Sequence, residues 1–264
     1  NDIFASLEIL LSIKKNPATV IIKHANPCGV SINKSALHSF KNAFSCDPIS
    51  AFGGVISCNF KIDKKIATEI NKNFLEVILA QGFENEALQI LKRKKNLRII
   101  DISKYKQKNQ ITAKLYDGSF LLQDKDASIF NRKNLKFVTK RKPSKNEINE
   151  LLFAFNICKY VKSNAIVLTN KFSTIGVGAG QSSRLDSCRI AVQKAKKFQP
   201  KKINGSIAAS DAFFPFVDGI KTLISAGVKI IIQPGGSVRD KEVIDEANKS
   251  NIKMVFTGVR HFNH

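Results

Sequence analysis

Residues 18–29, ATVIIKHANPCG, run an apolar stretch straight into an ammonium and an imidazole side by side, followed by Pro27 and Gly29. Residues 18–22 carry only Ala, Thr, Val and Ile, the composition of a strand covered on both faces in a parallel sheet. In such sheets ligands bind beyond the carboxyl ends of strands, which is where Lys23 and His24 fall. Pro27 fixes the backbone and Gly29 frees it, so the segment is expected to be a loop presenting both side chains. From this segment alone, a surface lysine beside a strand-capping histidine fits equally well.

Outward from this stretch, apolar runs alternate with helical patterns. Residues 54–57, 77–80, 165–169, 207–210, 229–232 and 253–256 read as further strands. Helices are expected from Asp63 through Lys72, from Glu84 through Arg93, from Ser144 onward and from Ser237 through Lys249. Glu147, three residues after Ser144, completes a capping box. This alternation predicts an α/β fold with mostly parallel strands and right-handed crossovers. The polar, Lys-rich segment 101–143 holds only a weak strand signal at 119–122, so two lobes are expected, residues 1–140 and 141–264. Residues 2–13 look like a helix already under way, with Leu7, Leu10 and Leu11 on one face. There is no initiator Met, and further sequence upstream is expected.

A chain of 264 residues with 43% hydrophobic content can bury a large core. No apolar run approaches the length that spans a bilayer, and neither a signal nor a transit pattern opens the chain, so a cytoplasmic protein is expected. The five cysteines are odd in number and widely spaced, which favours reduced thiols. A net charge of +22 would suit an anionic partner. The excess is mostly Lys, spread along the chain instead of forming one stripe, so a solvated surface is the preferred reading and a nucleic-acid-binding module the alternative.

Three further segments carry chemistry. Gly176, Gly178 and Gly180 in TIGVGAGQSSR look like a turn between strand and helix, where bare N–H groups and the helix dipole receive an anion. Tight strand-to-helix packing explains the glycines as well, but not Arg184 on the first helical turn. The dinucleotide fingerprint fails because its third glycine would fall at Gln181. In DAFFPFVD, residues 211–218, Phe213, Phe214 and Phe216 around Pro215 suggest a rigid apolar wall for a flat ring, with Asp218 able to accept from a heterocycle. A second glycine turn, QPGGSV at 233–238, follows the next strand, and Arg260, His261 and His264 should reach the same edge on a tail that is tied down. A zinc-deaminase reading of HANPC fails: Asn26 stands where Glu is needed, and Ser31 where the next Cys would be. No metal site is expected.

Taken together, KHANPCG, DPISAFGG, QGFENEAL, VKSNAIVL, TIGVGAGQSSR, SDAFFPF, QPGGSVRD and the terminal FTGVRHFNH resemble the transformylase domain of the bifunctional AICAR transformylase/IMP cyclohydrolase family. The resemblance covers nearly the whole chain. It implies two lobes of cytidine-deaminase-like α/β/α fold, a homodimer with shared active sites, and formyl transfer from 10-formyltetrahydrofolate to the 5-amino group of AICAR, giving FAICAR.

That amine is conjugated and a weak nucleophile unless its proton leaves as the bond forms. His24 is the natural base, since imidazole ordinarily titrates near ~6.5. Lys23 would stabilise the developing oxyanion. By resemblance, Phe52, Gly53, Glu76, Asn164, Arg184 and Arg260 match positions that hold AICAR, and Leu185, Phe213, Asp218, Ser237 and Val238 match positions that receive the folate. Val217 departs from the family's usual Arg, and DGSFLLQDKD lacks the usual paired glycines. The family's Arg-Tyr phosphate grip and its cyclohydrolase domain would lie upstream of Asn1. This chain alone is therefore expected to lack cyclohydrolase activity and to have weak or no transformylase activity, with a catalytically silent fragment as the alternative.

Overall fold

The computed structural model describes residues 1–14, 16–106, 111–126, 130 and 132–264. The first part of the chain runs α1 (Asp2–Ser12), β1 (Ala18–Lys23), β2 (Asn26–Ile32), α2 (Ala36–Phe44), α3 (Pro48–Ala51), β3 (Gly54–Cys58), α4 (Lys64–Asn71), β4 (Leu75–Ala80), α5 (Asn85–Leu91) and β5 (Arg98–Asp101). A hairpin, β6 (Ile111–Tyr116) and β7 (Ser119–Asp124), and a short β8 (Lys136–Phe137) follow. The remainder runs α6 (Lys145–Cys158), β9 (Ile166–Asn170), β10 (Ser173–Gly178), α7 (Arg184–Phe198), α8 (Pro200–Ile203), β11 (Ile207–Ser210), α9 (Val217–Ser225), β12 (Ile230–Gln233), α10 (Asp240–Lys249) and β13 (Lys253–Phe256).

Among the described residues, eleven strands form one sheet in the order β5-β4-β3-β1-β2-β10-β9-β11-β12-β13-β8. This order contains the same pattern twice. A helix leads into an antiparallel hairpin, β1–β2 or β9–β10, and the first strand of each hairpin then pairs antiparallel with a run of three parallel strands, β3–β5 or β11–β13. The two patterns meet where β2 and β10 lie antiparallel at Ser31↔Ser173. At that seam the Ser31 and Ser173 hydroxyls lie 2.7 Å apart, and the Thr174 hydroxyl accepts from Val30 N at 2.9 Å. Ile32 N donates to Phe172 O at 2.9 Å.

Strand residues are apolar on both sides because helices cover both faces. Val20 and Ile22 join a core cluster with Leu7, Leu10, Leu151 and Phe155 of α1 and α6, and that cluster continues across the seam to Val167 and Ile232. Ile21 points the other way, into a cluster with Phe40, Ile66 and Leu91 of α2, α4 and α5. Ile231 and Ala208 likewise face α7, α9 and α10 in a separate cluster. Each fully buried Ile of this kind contributes about 1.5–3 kcal/mol. Helix starts follow local chemistry: Asp63 accepts from Ile66 N at 2.7 Å, and Ser144 and Glu147 form the expected capping box.

Three expectations need correction. The sheet is mixed, because β1, β2, β9 and β10 are all antiparallel to their neighbours. Residues 26–29 are not a loop: His24 and Ala25 make a two-residue turn, and Pro27 and Gly29 lie inside β2, where Pro27 sits beside a bulge and a Cβ on Gly29 would come 1.9 Å from Ala43 O of α2. Gly176 and Gly178 lie inside β10 for the same reason, while α10 begins at Asp240 instead of Ser237.

Gly178 tests this close approach. A Cβ there would lie 1.9 Å from Ser187 O, so Gly178→Ala must push α7 off the sheet at a cost of about 3 kcal/mol. Urea unfolding should show a lower midpoint; an unchanged midpoint would contradict the packing.

Candidate active site

The turn between β1 and β2 presents Lys23 and His24 at one edge of the sheet. Lys23 is at the carboxyl end of β1, but β1 runs antiparallel to β3, so this is the amino edge of β3–β5 and not the carboxyl edge expected for a parallel sheet. Phe52 and Gly53 precede β3 there. The Lys23 ammonium donates to Phe52 O, and a Cβ on Gly53, whose φ is +69°, would lie 3.0 Å from Lys23 Nζ. Phe52 is exposed and packs its ring 5.0 Å from Phe74, and Glu76 is the exposed second residue of β4.

His24 and Ala25 have φ of 52° and 57°. Left-handed conformation costs an L-residue roughly 1–2 kcal/mol, and no glycine or asparagine relieves it here. The Asp2 carboxylate does: Oδ2 accepts from His24 N and Oδ1 from Ala25 N, each at 2.9 Å. The His24 side chain is left exposed.

Because β2 and β10 are antiparallel, the same edge carries the carboxyl ends of β10 and β11–β13. Asn26 Oδ1 accepts from Lys162 N at 3.0 Å, and Lys162 O accepts from Gly180 N at 2.7 Å, which ties the His24 turn to the second pattern. Beyond a cis Ser163–Asn164 peptide lies a buried network. Arg184 donates to Asp211 Oδ1 at 2.5 Å, Ser210 Oγ at 2.7 Å and Asn164 Oδ1 at 2.6 Å. Asn164 Nδ2 donates to Gln181 O at 2.8 Å, and Ser163 Oγ donates to Asp211 Oδ2. Asn164 and Arg184 thus hold each other, and among the described residues Arg184 makes three hydrogen bonds from its guanidinium.

The FFPF segment divides. Phe214 is buried in the core against Gly219, Phe213 is half-buried, and Phe216 is exposed with the Arg239 guanidinium 4.8 Å from its ring centre. The expected wall of three rings is therefore one exposed ring and one partly exposed. Asp218 is exposed at the start of α9, Leu185 follows Arg184 on α7, and Ser237 and fully exposed Val238 lie in the turn after β12. The tail is held as expected. His261 N donates to Asp211 O at 2.9 Å, Ser163 N donates to Asn263 O at 3.0 Å, and Lys162 and Lys114 donate to His264 O at 2.7 Å and 3.0 Å. His261 is buried with Nδ1 against Asp126; burial pushes its imidazole below its ordinary value, and the Asp126 charge opposes that. Arg260 stays exposed over the Phe262 ring.

Sequence reasoning missed Asp2, Asp211, Ser163 and Lys162, whose partners are distant in the chain. A cleft of about 1900 Å³ between α1, α6 and the β6–β7 hairpin meets this edge at Ala25, Lys162 and residues 262–264. Burial raises the Cys28 thiol to about 12, with Asp47 adding to the effect. All five cysteines are free and buried. Among the described residues no group of three or more His, Cys, Asp or Glu is placed to hold a metal, and no helix is long and apolar enough to cross a membrane.

Fold and edge define an α/β/α protein of mixed sheet, built on a repeated five-strand pattern, with a polar site where the two patterns meet. Residues 1–194 match the AICARFT/IMPCHase bienzyme family, and the chain belongs to that family. It is 44% identical over its whole length to a bifunctional purine biosynthesis protein PurH of Leptospira biflexa, of which it covers 51%. PurH proteins of Rhizobium rhizogenes and Trichodesmium erythraeum are 45% and 43% identical over all of this chain, which covers 51% and 50% of them. The chain thus spans about half the length of these relatives.

The Arg184–Asp211 pair is 8% and 1% exposed. Asp211→Ala would strand a buried guanidinium and cost about 3–5 kcal/mol, read as a lower urea midpoint. A loss under 1 kcal/mol would show that the pair is not buried in solution.

Proposed function

We propose that this chain performs the formyl transfer of its family: a formyl group passes from 10-formyltetrahydrofolate to the 5-amino group of AICAR, giving FAICAR. The observation that carries this reading is the adjacency of Lys23 and His24 on a constrained turn, at the edge that also receives Arg184, Asn164 and the tail. His24 takes the proton from the 5-amino group as its nitrogen bonds to the formyl carbon, and the imidazole returns a proton to the departing folate nitrogen. Lys23, which already donates to one carbonyl oxygen, Phe52 O, swings its ammonium to the formyl oxygen as negative charge builds there.

Phe52, Gly53, Glu76, Asn164, Arg184 and Arg260 are read as the AICAR side of the site. Arg184 orients Asn164 toward the carboxamide, and Arg260 supplies an exposed cation on a fixed tail. Leu185, Phe213, Asp218, Ser237 and Val238 are read as the folate side. Exposed apolar surface at Phe216 and Val238 fits the flat ring of that co-substrate.

The same reading treats the two five-strand patterns as two lobes and the working protein as a homodimer. Supporting the dimer, β6–β7 pairs only with itself among the described residues, and Leu115 and Phe120 are 86% and 65% exposed. A lone two-stranded ribbon is marginal in water and exposes apolar surface that a second copy would cover. Free, buried thiols suit a reducing, cytoplasmic setting.

Formyl transfer by the full-length polypeptide tests the proposal. His24→Ala should lower kcat by about 10²–10⁴-fold and Lys23→Ala by about 10²–10³-fold, with AICAR binding retained. Normal turnover by either variant would overturn the mechanism. Binding of both substrates without turnover by this chain alone would favour a catalytically silent fragment.

A further inference from the structure

The His24–Ala25 turn has a counterpart. The second hairpin turns at Lys171 and Phe172, whose φ values are 50° and 57°, so both hairpins place two non-glycine residues in the left-handed region. Registers match as well: Lys23 pairs with Asn26 across the first turn and Asn170 with Ser173 across the second. In each case a carboxylate from the helix that precedes the hairpin lies at the turn backbone. Asp2 of α1 takes His24 N and Ala25 N, and the Glu150 carboxylate of α6 faces the backbone of Lys171 and Phe172. Tight hairpins ordinarily use Asn-Gly or Gly-rich pairs at these positions. Here a carboxylate clamp replaces the glycine.

The two turns sit at opposite edges of the sheet, because β2 and β10 are antiparallel. Only the first turn carries the imidazole. We infer that Asp2 is a positioning residue: by accepting both turn amides, it fixes the backbone from which His24 reaches the reacting amine and Lys23 the formyl oxygen. Both Asp2 carboxylate oxygens are engaged by the turn backbone, so its part is to aim His24 and not to exchange protons with substrate. Glu150 faces the far turn, where no chemistry is proposed, which makes it an internal control.

This inference rests on the formyl-transfer reading, and the experiment separates the two. In the full-length polypeptide, Asp2→Ala should lower kcat by about 10–100-fold, as a misplacement near 1 Å does, while KM for AICAR changes little. Asp2→Asn, which keeps one acceptor oxygen, should fall between, and also serves if the Ala variant folds poorly. Amide hydrogen exchange at His24 and Ala25 should quicken in both variants. Adding Ala25→Gly to Asp2→Ala should restore much of kcat, because glycine adopts positive φ without strain. Glu150→Ala should quicken exchange at Lys171 and Phe172 and leave kcat unchanged. Wild-type kcat in Asp2→Ala, with His24→Ala inactive, would overturn the inference and spare the functional reading. Equal losses of kcat in Asp2→Ala and Glu150→Ala would reduce Asp2 to general stability and overturn it too. Unchanged exchange at His24 and Ala25 would refute the clamp whatever the activity.

Discussion

The antiparallel meeting of β2 and β10 decides where this protein's chemistry can occur. Hydroxyls of Ser31, Ser173 and Thr174 and the backbone of Val30 and Ile32 make that junction, buried and away from solvent competition. Were the strands parallel, the His24 turn and the Arg184 network would lie at opposite edges. With them antiparallel, the amino edge of β3–β5 and the carboxyl edge of β11–β13 coincide. The continuous core beneath α1 and α6 crosses the same junction, so separating the two patterns would expose Val30, Val167 and Val177 together.

Around that junction the fold invests polar interactions unevenly. Buried charge is concentrated at Arg184 and Asp211, where each partner is satisfied by several bonds. That arrangement is rigid and gives the neighbouring Asn164 one orientation. Lys23 and His24, by contrast, keep partly or fully exposed side chains on a constrained backbone. A fixed main chain with a free imidazole is what a proton-transfer group needs: its approach is set and its ring remains accessible.

Much of the sheet was legible because its strands are apolar on both sides. Residues 18–22, 207–210 and 253–256 read as buried strands and are buried strands, and the Ser144–Glu147 box marked its helix start. The hairpin partners β2 and β10 were hidden by their own glycines. Gly29, Gly176 and Gly178 look like turn residues, yet they are strand residues that let a helix backbone approach within van der Waals range. The turns themselves gave no signal, since His-Ala and Lys-Phe have none of the chemistry of a tight hairpin; the Asp2 carboxylate that holds the first lies about twenty residues upstream of it. Parallel strand order was assumed from strand–helix alternation, and the two unseen hairpins are what made the sheet mixed. At the site, Lys23, His24 and Arg184 stood out as residue types, but Asp2, Asp211 and the clamp on the tail depend on contacts that no local pattern encodes.

The central claim is that both patterns contribute to one site along one edge. Amide hydrogen exchange in the presence and absence of AICAR measures this directly. Protection at residues 23–26 together with 163–164 and 257–264, with no change at 170–173, is the predicted result. Protection confined to one pattern, or appearing at the 170–173 turn on the far edge, would contradict it.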